Sequence, residues 1–180
     1  PIKCIDETFD YNSTLSYHLS IQVGMDGFTI CILNSINNKY IALKHIPFDI
    51  KINPEITFEK IESILEKEEL IQADFKSVNT LFKSDKYTLV PDELFEVKNS
   101  RLFFEYNQVL SDLDELHYTP SKNSKAITLF SIPNQIANPI LSKFNKSKIY
   151  HNTTPFIEKS IETGMANPDS DYFFIEFGYH

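Results

Sequence analysis

The 180-residue chain has no tryptophan, four glycines, two cysteines and a single arginine, Arg101. So few glycines leave little material for the glycine-rich loops that cradle phosphate in nucleotide sites. Cys4 and Cys31 do not make a disulfide framework and read as incidental thiols of a reducing compartment. With positive charge resting almost wholly on scattered lysines and a formal net charge of -8, there is no basic run to track a nucleic-acid backbone. Nucleic acid is therefore set aside as a partner. No stretch approaches the roughly 18 consecutive apolar residues of a membrane helix, which excludes membrane insertion by that route. The opening, PIKCIDETFDYN, has neither the basic region nor the apolar core of a signal peptide, so a cytoplasmic location is the expectation.

What the chain does have is apolar bulk. At 42% hydrophobic content, with 15 phenylalanines and nine tyrosines, it can bury an aromatic and aliphatic core. The stretch Leu19 to Pro47 organises it. Leu19 to Val23 and Phe28 to Leu33 are β-prone runs around the turn Gly24-Met25-Asp26-Gly27, where two glycines are free to take positive φ. Ser35 to Asn38 is a second turn, before a third strand over Tyr40 to Ile46.

Downstream, Thr57 is expected to N-cap a helix with Phe58, Ile61, Ile64 and Leu65 on its inner face. Ser77 to Phe82 and Tyr87 to Val90 read as a hairpin or two edge strands split by the polar turn Lys83 to Lys86. Pro91 to about Asn107 reads as broken helix, and Val109 to Lys125 as mainly polar chain ending in a flexible turn at Ser121 to Ser124. From Ala126 the order becomes strand (Ala126 to Ile132), helix (Asn134 to Phe144), strand (Ile149 to Asn152) and helix from Thr154, closed by Gly164. That order predicts parallel strands joined by crossovers. The last residues, Tyr172 to His180, read as one more strand, and Phe174 to Gly178 repeats the apolar-polar-apolar-Gly order of Ser20 to Gly24. The fold class expected is mixed α/β: an antiparallel three-strand meander followed by β-α-β-α units, the opening of ribonuclease H-like and actin-like domains.

The stretches YHLSIQVGMDGFTICIL, YTLVPDELF, AITLFSIPNQI and KIYHNTTPFIE together resemble a bacterial family, domain of unknown function 3822, similar in fold to actin-like ATPases and to the pilus-assembly protein PilM. The resemblance implies a first actin-like domain over 1–170 with a small insert at about 77–125. It also implies the first strand of a second such domain at 171–180, so that the chain is part of a longer protein. It further implies a nucleotide site. In actin-like ATPases an aspartate ends the first strand ahead of a glycine turn and holds hydrated magnesium; here that position is Gln22, two residues before Gly24. A neutral amide does not supply the charge that a hard cation prefers. Asp26 could substitute, or simply cap backbone amides of its turn. Glu176, ahead of Gly178, holds the corresponding place at the second domain's opening.

Other chemistry is sparse. His18, His45, His117, His151 and His180 lie in no metal-ligand spacing and read as partly exposed structural residues, and Ser131 has no nucleophile-elbow context. The sequence thus points to a non-catalytic scaffold with a degenerate nucleotide site and no cofactor, which binds a protein partner or self-associates as a homodimer. The alternative is an Mg-ATP switch of the actin-like type, with Gln22, Gly24, Asp26, Glu176 and Gly178 about the nucleotide.

Overall fold

A computed structural model describes residues 2–48 and 54–171. Its main body is a six-stranded mixed sheet. β1 (Ile2–Ile5), β4 (Lys39–Pro47), β3 (Gly27–Asn34) and β2 (Tyr17–Gly24) run antiparallel in that spatial order. β5 (Ser77–Phe82) and β9 (Lys148–His151) then add on parallel to β2. The expected meander is present, and its alternation explains it. Tyr17, Leu19, Ile21 and Val23 of β2 and Phe28, Ile30 and Ile32 of β3 are buried on one face, while Ser20 and Gln22 point the other way.

The two turns of the meander work differently. No glycine among the described residues has positive φ, so the glycines of the β2–β3 turn do not serve backbone freedom. They serve space: a Cβ on Gly24 would lie 2.7 Å from Asp26 Oδ1 and 3.0 Å from Lys83 Cβ, and one on Gly27 would lie 2.8 Å from His45 Cε1. The β3–β4 turn does need the left-handed region, and Asn38 supplies it at φ 55°. There the Ile36 N–H donates to Asn34 Oδ1 at 2.9 Å, a local closure typical of asparagine.

Two helices cover the inner face. α1 (Pro54–Lys67) starts ahead of Thr57, which is buried within the helix rather than capping it. α3 (Asn134–Lys143) starts at Asn134 and carries Pro139 in its second turn. Ile61 and Leu65 of α1 and Ile136, Ala137 and Ile140 of α3 share one core with Leu19, Ile21, Ile30, Phe82 and Phe130. Lys44 of β4 reaches Glu68 just past α1 at 2.5 Å, tying the helix end to the sheet.

A second, three-stranded antiparallel sheet comprises β6 (Tyr87–Pro91), β8 (Ala126–Pro133) and β7 (Asp114–Pro120), with β8 in the middle. This corrects two expectations. Ser77–Phe82 does not pair with Tyr87–Pro91; it lies between β2 and β9 in the large sheet. Ala126–Pro133 is not a parallel strand of a crossover unit either. Its residues from Ile127 to Ile132 are all buried because both faces are covered, Leu129 by Val90 and Phe104 of α2 (Ser100–Glu105), Phe130 and Ile132 by the main core. An apolar run without alternation marks a strand buried on both faces, whichever way its neighbours run. The small sheet begins at Tyr87 and ends at Pro133, later at both ends than the insert expected at about 77–125. α4 (Thr153–Ala166) follows β9 and runs through Gly164 without closing there.

Candidate functional site

Ligands of open α/β sheets bind beyond the carboxyl ends of parallel strands. At that edge, between the large and small sheets, lies a cavity of about 350 Å³. β2 and β5 deliver Val23 and Phe82 to its floor, β8 and α3 deliver Ser131 and Ile136, and the turns after β2 and β5 supply charge through Asp26, Lys83 and Lys86.

The geometry follows from Gly24. Because it has no side chain, Lys83 crosses over it: the Lys83 amide donates to Val23 O at 2.7 Å, and its ammonium reaches Asp26 Oδ2 at 2.5 Å. Asp26 is held from behind as well, since its carbonyl accepts the Phe48 N–H at 2.9 Å. Across the cavity Lys86 Nζ lies 3.0 Å from Asp114 Oδ2. Of the three carboxylates in the lining, Asp26 and Asp114 are thus engaged by lysines and Asp85 makes no ion pair among the described residues. With each partner of the Asp26–Lys83 pair about a third exposed, that pair contributes at most about 1 kcal/mol to stability. Its consequence is chemical: the acid nearest the expected metal position already has a cation.

Gln22 is absent from this lining. It sits on the outer face of the sheet, exposed, in register with Thr29 and Leu81. Gly24 and Asp26 form the cavity's turn. Glu176 and Gly178 lie outside the described residues. Among the described residues no three His, Cys, Asp or Glu side chains converge as metal ligands. Among the described residues the cavity thus fits hydrated magnesium poorly, because Asp26 and Asp114 are paired with lysines, Asp85 belongs to no such cluster, and the strand-end position is an amide facing away. Lys83 and Lys86 were read in sequence only as the ends of a polar turn, and Asp114 was not singled out; the available signal was their place just past a strand end or facing it across the small sheet.

The histidines divide. His18 contacts Ser77 Oγ at 2.6 Å and His45 contacts Thr29 Oγ1 at 2.9 Å on the outer face. His151, expected to be partly exposed, is buried. Its Nε2 lies 2.8 Å from Ser84 O and therefore carries the proton, while Nδ1 accepts from the Thr153 hydroxyl at 2.8 Å. It pins the Lys83–Lys86 turn to the start of α4. His117 stacks on Phe130, and burial lowers its pKa against the opposing pull of Glu115, which at 3.6 Å is too far for a hydrogen bond. Cys4 and Cys31 are free thiols, both in register with Leu43 and so kept apart by β4.

Among the described residues no helix is long and apolar enough to cross a membrane. No curated protein matches the chain. A crystal structure from Bacteroides thetaiotaomicron VPI-5482, of a protein with actin-like ATPase fold and unknown function, is similar with a TM-score of 0.78 and 24% identity over 85% of this chain. The chain spans 58% of that protein's length. The likeness establishes the actin-like fold. The sequence model of one family, described as Protein of unknown function (DUF3822), matches residues 6–178, and this chain belongs to that family.

Proposed function

We propose that the protein is a non-catalytic actin-like scaffold that acts by binding a protein partner or a second copy of itself. The observation that carries this reading is the Asp26–Lys83 ion pair, which occupies the strand-end turn where a metal-bound nucleotide would need a free acid. The outer face of the large sheet supports the binding half of the proposal. Ile2, Cys4, Leu43, Cys31, Leu33 and Tyr40 form neighbouring uncharged rows there, with Tyr40 71%, Ile2 55% and Leu43 41% exposed. They adjoin β1, which has no strand on its other side among the described residues. An apolar surface beside an unpaired edge is a general docking geometry. Two free thiols accord with a cytoplasmic setting.

A second reading, an ATP-dependent switch completed by a further domain, draws on Lys83 and Lys86, which put two ammonium groups at the carboxyl ends of parallel strands. Titration calorimetry of Mg-ATP into the longest natural form of the protein separates the two. The scaffold reading predicts no binding at millimolar nucleotide. Micromolar binding accompanied by hydrolysis overturns it, and loss of that binding in Lys86→Ala would assign the cavity as the site.

A further inference from the structure

The turn between β7 and β8 was read in sequence only as flexible, yet it is built around an anion. Glu158 of α4 inserts its carboxylate there. Oε1 accepts from the Ser121 hydroxyl at 2.5 Å and the Lys122 N–H at 2.7 Å, and Oε2 accepts from Asn123 Nδ2 at 3.0 Å. The receiving groups are themselves held. Ser121 Oγ accepts the Ser124 N–H at 3.1 Å, the Ser121 N–H closes the turn on Ala126 O at 2.8 Å, and Lys125 takes φ 48°. A backbone amide, a hydroxyl and a carboxamide thus converge on one pair of oxygens, in a five-residue turn that carries Lys122 and Lys125 and no acid. Such a concave set of donors fits oxyanions generally, and the carboxylate stands where phosphate oxygens would make the same charge-assisted bonds.

We infer that the β7–β8 turn is an oxyanion receptor closed by Glu158, and that a phosphate-bearing ligand competes for it and releases α4 from the small sheet. Glu158 is suited to act as the latch because it reaches from mid-helix to the small sheet's turn, past the Thr153–His151 bond at the start of α4, whereas Ser160 and Thr163 bond back to Phe156 O and Lys159 O within the helix. Ligation at the turn would thereby change the tethering of the helix that leads into residues 172–180. This site is separate from the cavity beyond β2 and β5 and does not rest on any nucleotide binding there.

The test is amide hydrogen exchange on the full chain, wild type and Glu158→Gln, with inorganic phosphate as probe and sodium chloride at matched ionic strength as control. The carboxamide keeps the shape of the side chain but not its charge, so folding is not at stake. In Glu158→Gln the Lys122 amide should exchange about tenfold faster, as loss of its charge-assisted bond requires, and α4 amides beyond residue 158 should exchange faster with it. Millimolar phosphate should restore protection at Lys122 while those α4 amides remain fast. Unchanged exchange at Lys122 in the variant overturns the inference. So does protection that phosphate fails to restore, which would make Glu158 a turn cap only, or protection restored equally by chloride.

Discussion

Thr80 offers a sharp test of the packing described above. It lies mid-strand in β5 between Ile21 and Ile149, its residue surface is 0% exposed, and its hydroxyl has no hydrogen-bond partner. Burying an unpaired hydroxyl costs about 1–3 kcal/mol on mutational scales. Thr80→Val keeps the branch and replaces the hydroxyl with a methyl of similar size, which suits both the strand and its aliphatic neighbours. The expected gain is about 1 kcal/mol. In urea, with a slope of about 1–3 kcal/mol/M, that moves the unfolding midpoint up by roughly 0.5 M at unchanged slope. Thermal unfolding should shift up by about 2–4 °C. A loss of about 1 kcal/mol instead would refute the reasoning, because the hydroxyl would then have to be satisfied, by an enclosed water for example.

Gly24→Ala tests why the β2–β3 turn is glycine. The added Cβ meets Lys83 Cβ, an atom fixed to the backbone just past β5, at 3.0 Å, so the two turns must separate, and a loss of about 1–3 kcal/mol in unfolding free energy, read from denaturant titration, is expected. A neutral result would mean that Lys83 does not need to cross there. His117 sets a pH dependence. Burial holds its folded-state pKa below the ordinary value of about 6.5, so its contribution is complete above that pH and is lost as pH falls from there toward the folded-state pKa. Unfolding free energies at pH 7 and pH 5 should therefore differ less in His117→Phe than in wild type. Equal slopes would show that the imidazole titrates normally.

The parts of the fold that were legible in sequence are those whose physics is local. Leu19, Ile21 and Val23 against Ser20 and Gln22 announce a half-buried strand, and Asn38 announces its turn. β7 was not legible because it is an edge strand carrying only Leu116 and Tyr118 among polar neighbours. β8 looked like a parallel strand because burial on both faces leaves the same apolar run in either geometry. The partner of Ser77–Phe82 lies 59 residues back, at His18 for Ser77, and no nearby pattern encodes such a pairing. At the cavity, Gly24 and Asp26 stood out as turn residues. The ion pair that defines their chemistry spans 57 residues and emerges only when β5 docks beside β2. Glu158 likewise carries no local sign of its role, since the groups that bind its carboxylate lie 35–37 residues before it.

The position of the small sheet has a kinetic consequence. It is strung between β5 and β9, neighbours in the large sheet, so β9 can dock only after β6, β7, β8 and α3 have been gathered into a closed loop. Closure entropy rises only with the logarithm of loop length, but a loop that has already collapsed into its own sheet presents its ends close together. The meander β2 to β4 can form from near neighbours alone. The strands that shape the cavity must wait for the slow, non-local pairings. During synthesis or refolding, the β5–β9 edge that borders the cavity is therefore expected to be the last part of the large sheet to form.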